Sequence, residues 1–188
     1  MNQRTIKKSA TISGVGIHTG VQTQLTLLPA KENTGIRFVR TDLEGNPVIN
    51  ASIENVVSTN RSTNLKANNA EINTVEHILA AIVGESIDNV IIEVDNIEVP
   101  ILDGSSTLFS ELILETGTQE LPEKRKFYEV KRKISFTDPE NGTTYTATPA
   151  DEYQVEIEIE TLMMIDSLKM SEVDRKYITK KCKKIENV

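Results

Sequence analysis

The chain has 188 residues, 38% hydrophobic and 26% charged, with a net charge of -7, the balance of a soluble protein of one domain or one and a half small ones. That charge disfavours any general attraction for nucleic acid or anionic lipid, and no apolar run approaches the ~20 residues that span a bilayer. The start, MNQRTIKKSATISG, lacks the apolar core of a signal peptide, so the expectation is a cytoplasmic protein that is not transmembrane. One cysteine, Cys182, excludes an internal disulfide and any multi-cysteine zinc site.

RTIKKSATI reads as one strand, and GVG at 14–16 as a turn. VQTQLTL follows, with Val21, Thr23, Leu25 and Leu27 on one face and Gln22, Gln24 and Thr26 on the other. TGIRFVR is a further strand, and STNRSTNLKANNAEI a polar loop and hairpin. Val75, Ile78, Leu79, Ile82 and Val83 make the buried stripe of a helix over 74–84. NVIIEV is a short buried strand. A second helix over 106–115 is capped by Ser105 or Ser106, has a stripe of Leu108, Phe109, Leu112 and Ile113, and ends at Gly117. TGTQELPEK has the composition of a linker. Residues 1–122 therefore read as one α+β domain, a layer of sheet against a layer of helix.

The pattern then begins again. RTIKK resembles YEVKRKI at 128–134, and LTLLPAKE at 25–32 resembles YTATPADE at 145–152. Pro29 and Pro149 are 120 positions apart, Ile6 and Val130 are 124 apart. Similar order and similar offset predict a duplicated domain beginning at 123, with strands over 127–159 that match those over 4–40. Only residues 123–160 belong to this second copy. The remainder, 161–188, is a divergent tail with seven Lys or Arg and four Asp or Glu. A helix is expected over 171–186, with Val173, Tyr177, Ile178, Cys182 and Ile185 on one face. As a nucleic-acid binder the tail is poor, because Tyr177 is its only aromatic.

Glu76 and His77 carry the functional question. As a capping box, Asn73 is the N-cap and Glu76 reaches back from the third helical position. As chemistry, an imidazole binds metal and an adjacent carboxylate serves as general base on water. At 3.6 residues per turn His77 lies about 200° from Val75, on a side shared with Ala80, Ala81 and Gly84. Small residues there predict a second layer packed against the helix, with His77 facing a cleft. The other histidine, His18 in GVGIHTG, suits a loop or substrate contact better than a metal.

SGVGIHTG, TVEHILAA, ESIDNVIIEVD and VPILDGSS, in this order and spacing, resemble UDP-3-O-acyl-N-acetylglucosamine deacetylases, zinc enzymes of lipid A biosynthesis. The likeness runs from residue 3 to about residue 159. It implies two similar α+β domains packed face to face, helices between the sheets, and an active site at the interface. Glu76 matches the family's general base and His77 its first zinc ligand. His18 matches the histidine of the first loop. Thr59, Asn60 and Ser62 in VVSTNRST match the loop beside the substrate. Asp103 matches the DGS turn, where a structural role in starting the second helix is favoured.

The departure is large. The family's other zinc ligands, a His and an Asp of an HKxxD motif, lie in its second domain with a further catalytic histidine and the acyl-chain passage, and none is in this chain. Two functions compete. One is a Zn2+-dependent deacetylase acting on UDP-3-O-acyl-N-acetylglucosamine. The other is a catalytically incompetent binding or structural module that self-associates through its uncovered face.

Overall fold

A computed structural model describes residues 1–151 and 154–157. It divides into two compact units, Met1–Lys126 and Phe127–Val188. In the first, β1 (Asn2–Ile6) is followed by β2 (Ala10–Val15), β3 (Gln22–Pro29), β4 (Ile36–Arg40) and β5 (Val48–Asn50). A single 3-10 turn, Ile53–Asn55, precedes β6 (Val56–Ser58), β7 (Asn64–Ala67) and β8 (Ala70–Ile72). Helix α1 (Glu76–Gly84), β9 (Val90–Val94), helix α2 (Thr107–Thr116) and β10 (Thr118–Lys124) complete it. The α+β class agrees with the sequence pattern.

The main sheet has the order β2-β3-β9-β4-β5. It is antiparallel except that β4 runs parallel to β9. Register puts Leu25 opposite Val94 and Leu27 opposite Ile92, Phe38 beside Ile92, and Phe38 opposite Ile49. All six are buried, because alternate residues of a strand share a face. Ile72 of β8, Val75, Ile78, Ala81 and Ile82 at α1, and Phe109 and Ile113 of α2 join the same core. Each large side chain buried there contributes about 1.5–3 kcal/mol relative to exposure.

Arg40, at the end of β4, is buried on that core face. Its guanidinium donates to both carboxylate oxygens of Asp42, Nε to Oδ1 at 2.8 Å and Nη2 to Oδ2 at 2.7 Å. Its Nη1 donates to the Glu71 carbonyl. The charge is thus fully used, and it ties the main sheet to the sheet of β6, β7 and β8.

Several expectations need correction. RTIKKSATI is not one strand. β1 pairs with β10 and β2 with β3, and the break at 7–9 lets the chain change sheets. Gly14 is inside β2. A Cβ there would lie 3.1 Å from Leu102 Cδ2 and from Pro100 Cβ, so close approach rather than turning explains that glycine. TGTQELPEK is not a linker but largely β10, whose backbone pairs with β1.

Helix α1 corrects two more. Asn73 is not its N-cap, since its N–H donates to the Ile97 carbonyl and the helix opens with Glu76. Val83 is not in the buried stripe but 68% exposed, while Ala81, expected beside His77, is buried. The core contacts α1 along Ile78, Ala81 and Ile82, a line rotated from the one that hydrophobicity alone marks. His77 is half-buried, with Ala80 and Gly84 exposed.

In the second unit β11 (Ile134–Thr137) and β12 (Thr144–Ala147) form an antiparallel hairpin. Both strands are exposed along their length. Most of YEVKRKI, through Lys133, is outside any strand, contrary to expectation. The helix expected over 171–186 lies outside the described residues.

Candidate active site

Glu76 and His77 occupy the first turn of α1. The Glu76 carboxylate does not reach back to a cap. Its Oε2 accepts the Thr63 N–H at 2.9 Å, and the Val75 N–H donates to the Thr63 carbonyl at 3.2 Å. The helix start and the end of the loop 59–63 are thereby joined. Ser62 is half-buried and its hydroxyl donates to Asn64 Oδ1 at 2.8 Å, whereas Thr59 and Asn60 are exposed.

Asp103 precedes α2. Its Oδ1 accepts the N–H and the hydroxyl of Ser105, both at 2.9 Å, and Ser105 Oγ accepts the Thr107 N–H at 3.1 Å. The turn that starts α2 is built from these bonds, as expected of DGS. The Ser105 bonds hold the Asp103 carboxyl below its ordinary range, and the nearby His77 adds to the effect.

His18 lies in an exposed turn after β2. The Gly20 N–H donates to the Gly16 carbonyl at 3.0 Å, which closes the turn. What holds the turn in place is Glu98, a residue that sequence reasoning missed. This carboxylate is 0% exposed. Its Oε1 accepts the His18 N–H at 3.0 Å and the Thr74 hydroxyl at 3.0 Å. Its Oε2 accepts the Thr19 N–H at 2.8 Å and the Thr19 hydroxyl at 2.6 Å. Burial pushes the carboxyl up, but donors from Thr19, His18 and Thr74 prevail and hold it below the ordinary range. The available signal was a lone acid between Ile97 and Val99, at the apolar approach to Pro100. A charge at such a position must find partners.

The structure therefore ties the backbone of the His18 turn, through Glu98, to Thr74 two residues before Glu76, and ties the end of the 59–63 loop to Glu76 itself. A zinc site is not assembled there. Among the described residues no group of three or more His, Cys, Asp or Glu side chains could hold a metal ion. One imidazole, His77, falls short of the three protein ligands of a catalytic zinc, so the described residues alone do not fit the ion. Among the described residues no helix is long and apolar enough to cross a membrane.

A small α+β domain with a carboxylate–imidazole pair at a helix start is the class that fold and site define. Comparison with known proteins is specific. The sequence model of the family described as UDP-3-O-acyl N-acetylglycosamine deacetylase matches residues 3–182, beyond the residue 159 at which the motifs fade. A bifunctional LpxC/FabZ enzyme of Porphyromonas gingivalis is 40% identical over 84% of this chain and 34% of its own length. UDP-3-O-acyl-N-acetylglucosamine deacetylases of Psychrobacter sp. and Myxococcus xanthus are each 39% identical over 85% of this chain, and over 53% and 50% of theirs. The chain belongs to the UDP-3-O-acyl N-acetylglycosamine deacetylase family. It spans about half the length of these single-function relatives.

Proposed function

We propose that this chain supplies the general-base half of a deacetylase that removes acetate from UDP-3-O-acyl-N-acetylglucosamine, in the cytoplasm, for lipid A biosynthesis. The observation that carries this reading is the pairing of Glu76 and His77 at the first turn of α1 in a member of this family. Glu76 takes a proton from water as the water oxygen adds to the acetamide carbonyl. The C–N bond then breaks, the leaving amine gains a proton, and acetate departs. His77 is one of the groups that would meet Zn2+, with the others supplied from outside the described residues. His18, Thr59, Asn60 and Ser62 are assigned to substrate contact.

The same reading divides the chain into a first domain over 1–122, the start of a similar domain over 123–160, and a tail over 161–188. Hairpin register supports the duplication. Ala10 pairs with Leu27 and Ile134 with Ala147, and these pairs stand at the offsets that relate Ile6 to Val130 and Pro29 to Pro149.

The test is acetate release by a fusion in which residues 161–188 give way to the corresponding segment of the Psychrobacter relative. Turnover is expected, with a loss of about 10²–10⁴-fold in Glu76→Ala. A folded, substrate-binding fusion that releases no acetate overturns the reading. A second reading, a module without turnover that self-associates, is favoured by the solvent-facing Val83 on α1 and Leu114 on α2. Unpartnered apolar residues on adjacent helices suit a contact with another copy.

A further inference from the structure

Thr74 has φ +60, a backbone conformation that a β-branched residue adopts only under constraint. It is buried and stands two residues before Glu76. Strain of this kind persists where surrounding groups over-determine it. The constraint is Glu98, whose carboxylate takes the Thr74 hydroxyl on the same oxygen that takes the His18 N–H. Backbone just before Thr74 is pinned to both chain neighbours of Glu98 as well. The Asn73 N–H donates to the Ile97 carbonyl at 2.8 Å, and the Val99 N–H to the Asn73 carbonyl at 3.1 Å.

Gly16 completes the arrangement. A Cβ at that position would overlap the Glu98 carboxylate and come within 2.7 Å of the Thr19 hydroxyl. Only a residue without a side chain lets the turn close over the buried acid.

We infer that Glu98 is a positioning residue that locks the His18 turn to the strained Thr74 turn, and so sets Glu76 and His77 relative to His18. The inference rests on the reading of Glu76 and His77 as the working pair. Glu98 does not touch substrate. It acts through the two turns, with two donors on each of its oxygens. Four donors meeting two oxygens demand a carboxylate, because an amide would turn an NH2 group toward two of them.

The test is amide NMR of the full 188-residue chain without metal or substrate. In Glu98→Gln the His18 and Thr19 amide protons lose the downfield shift of a carboxylate hydrogen bond. Exchange across the turn rises about tenfold or more. The Glu76 and His77 amides shift with them, while those of Leu27 and Ile92 in the main sheet do not. Thr74→Val gives the same displacement at Glu76, His77 and His18, and Thr74→Ser, which keeps the hydroxyl, restores all three. This pair carries the test should Glu98→Gln fail to fold. Movement of the His18 turn with Glu76 and His77 fixed overturns the inference, as does a Thr74→Ser variant that behaves like Thr74→Val. Neither readout involves zinc or acetate. Failure of the deacetylase reading is seen only in the turnover assay, and failure of the coupling only in the spectra.

Discussion

The N–H of Thr63 donates to Oε2 of Glu76 at 2.9 Å, so the carboxylate at the head of α1 is also the clasp of the loop before β7. In the role of general base proposed for it, Glu76 would be oriented by this bond before substrate arrives. Glu76→Ala leaves the Thr63 amide without its acceptor and costs about 1 kcal/mol of stability. Glu76→Gln keeps an oxygen for that amide and costs less, yet it cannot take a proton from water. Urea unfolding of the two variants, with hydrogen exchange at Thr63, checks the difference. Equal exchange rates in both would remove the clasp.

Asp42 and Glu98 are among the carboxyls that make stability depend on acid. Bonds from Arg40 lower Asp42. Burial raises Glu98, but its hydroxyl and amide donors hold it below its ordinary value. Below the ordinary values of 3.8 and 4.5 the unfolded chain binds more protons than the folded one. The contribution of each group is therefore fully present above those values and is lost as pH falls through the depressed folded ones. Urea midpoints should hold from neutral pH down to the ordinary carboxylate range and drop below it. Asp42→Asn should lower the neutral midpoint and flatten the acid drop. Removing Asp42 altogether leaves a buried guanidinium without its partner and costs about 3 kcal/mol or more. An acid limb in Asp42→Asn as steep as in the parent would contradict the assignment.

Helix α1 offers a sharper contrast. Val83 is 68% exposed and Ala81 is buried, the reverse of what hydrophobicity suggests. Val83→Lys should change stability by no more than about 0.5 kcal/mol. Ala81→Lys drives a charge and four methylenes into the core beside Ile78 and Ile82, and should cost upwards of about 3 kcal/mol. Thermal midpoints of the two variants decide it. If Val83→Lys proved the more damaging, the face of α1 against the core would be misassigned.

The same contrast marks where sequence and structure part. Leu25, Leu27 and Phe38 are legible because strand alternation and burial coincide. The first turn of α1 is legible as a functional candidate because Glu76 and His77 carry the chemistry on their own side chains. Glu98 is not, since its meaning lies in donors from positions 18, 19 and 74, brought together only by the chain path. β10 is illegible for a related reason. TQELPEK has little alternation, and its strand character comes from backbone pairing with β1. Tertiary context overrides local preference in both places.

The metal decides between the two readings of function. Among the described residues His77 stands without the two further ligands that a catalytic zinc requires. The Asp103 carboxylate is already occupied by Ser105, whose N–H donates to Oδ1 and whose hydroxyl is shared between Oδ1 and Oδ2. Purified as it stands, the chain should hold well under one zinc per molecule after dialysis, and acetate release should stay near background. Chelator treatment should leave its thermal midpoint unchanged, because a site that binds weakly adds little to stability. In the fusion with the Psychrobacter segment, His77→Ala should lose both zinc and turnover, while Glu76→Ala keeps the zinc and loses most of the rate. Elemental analysis beside an acetate assay reads all of these. One tightly bound zinc per chain, with chelator-sensitive unfolding, would mean that the present chain completes the site with ligands beyond His77.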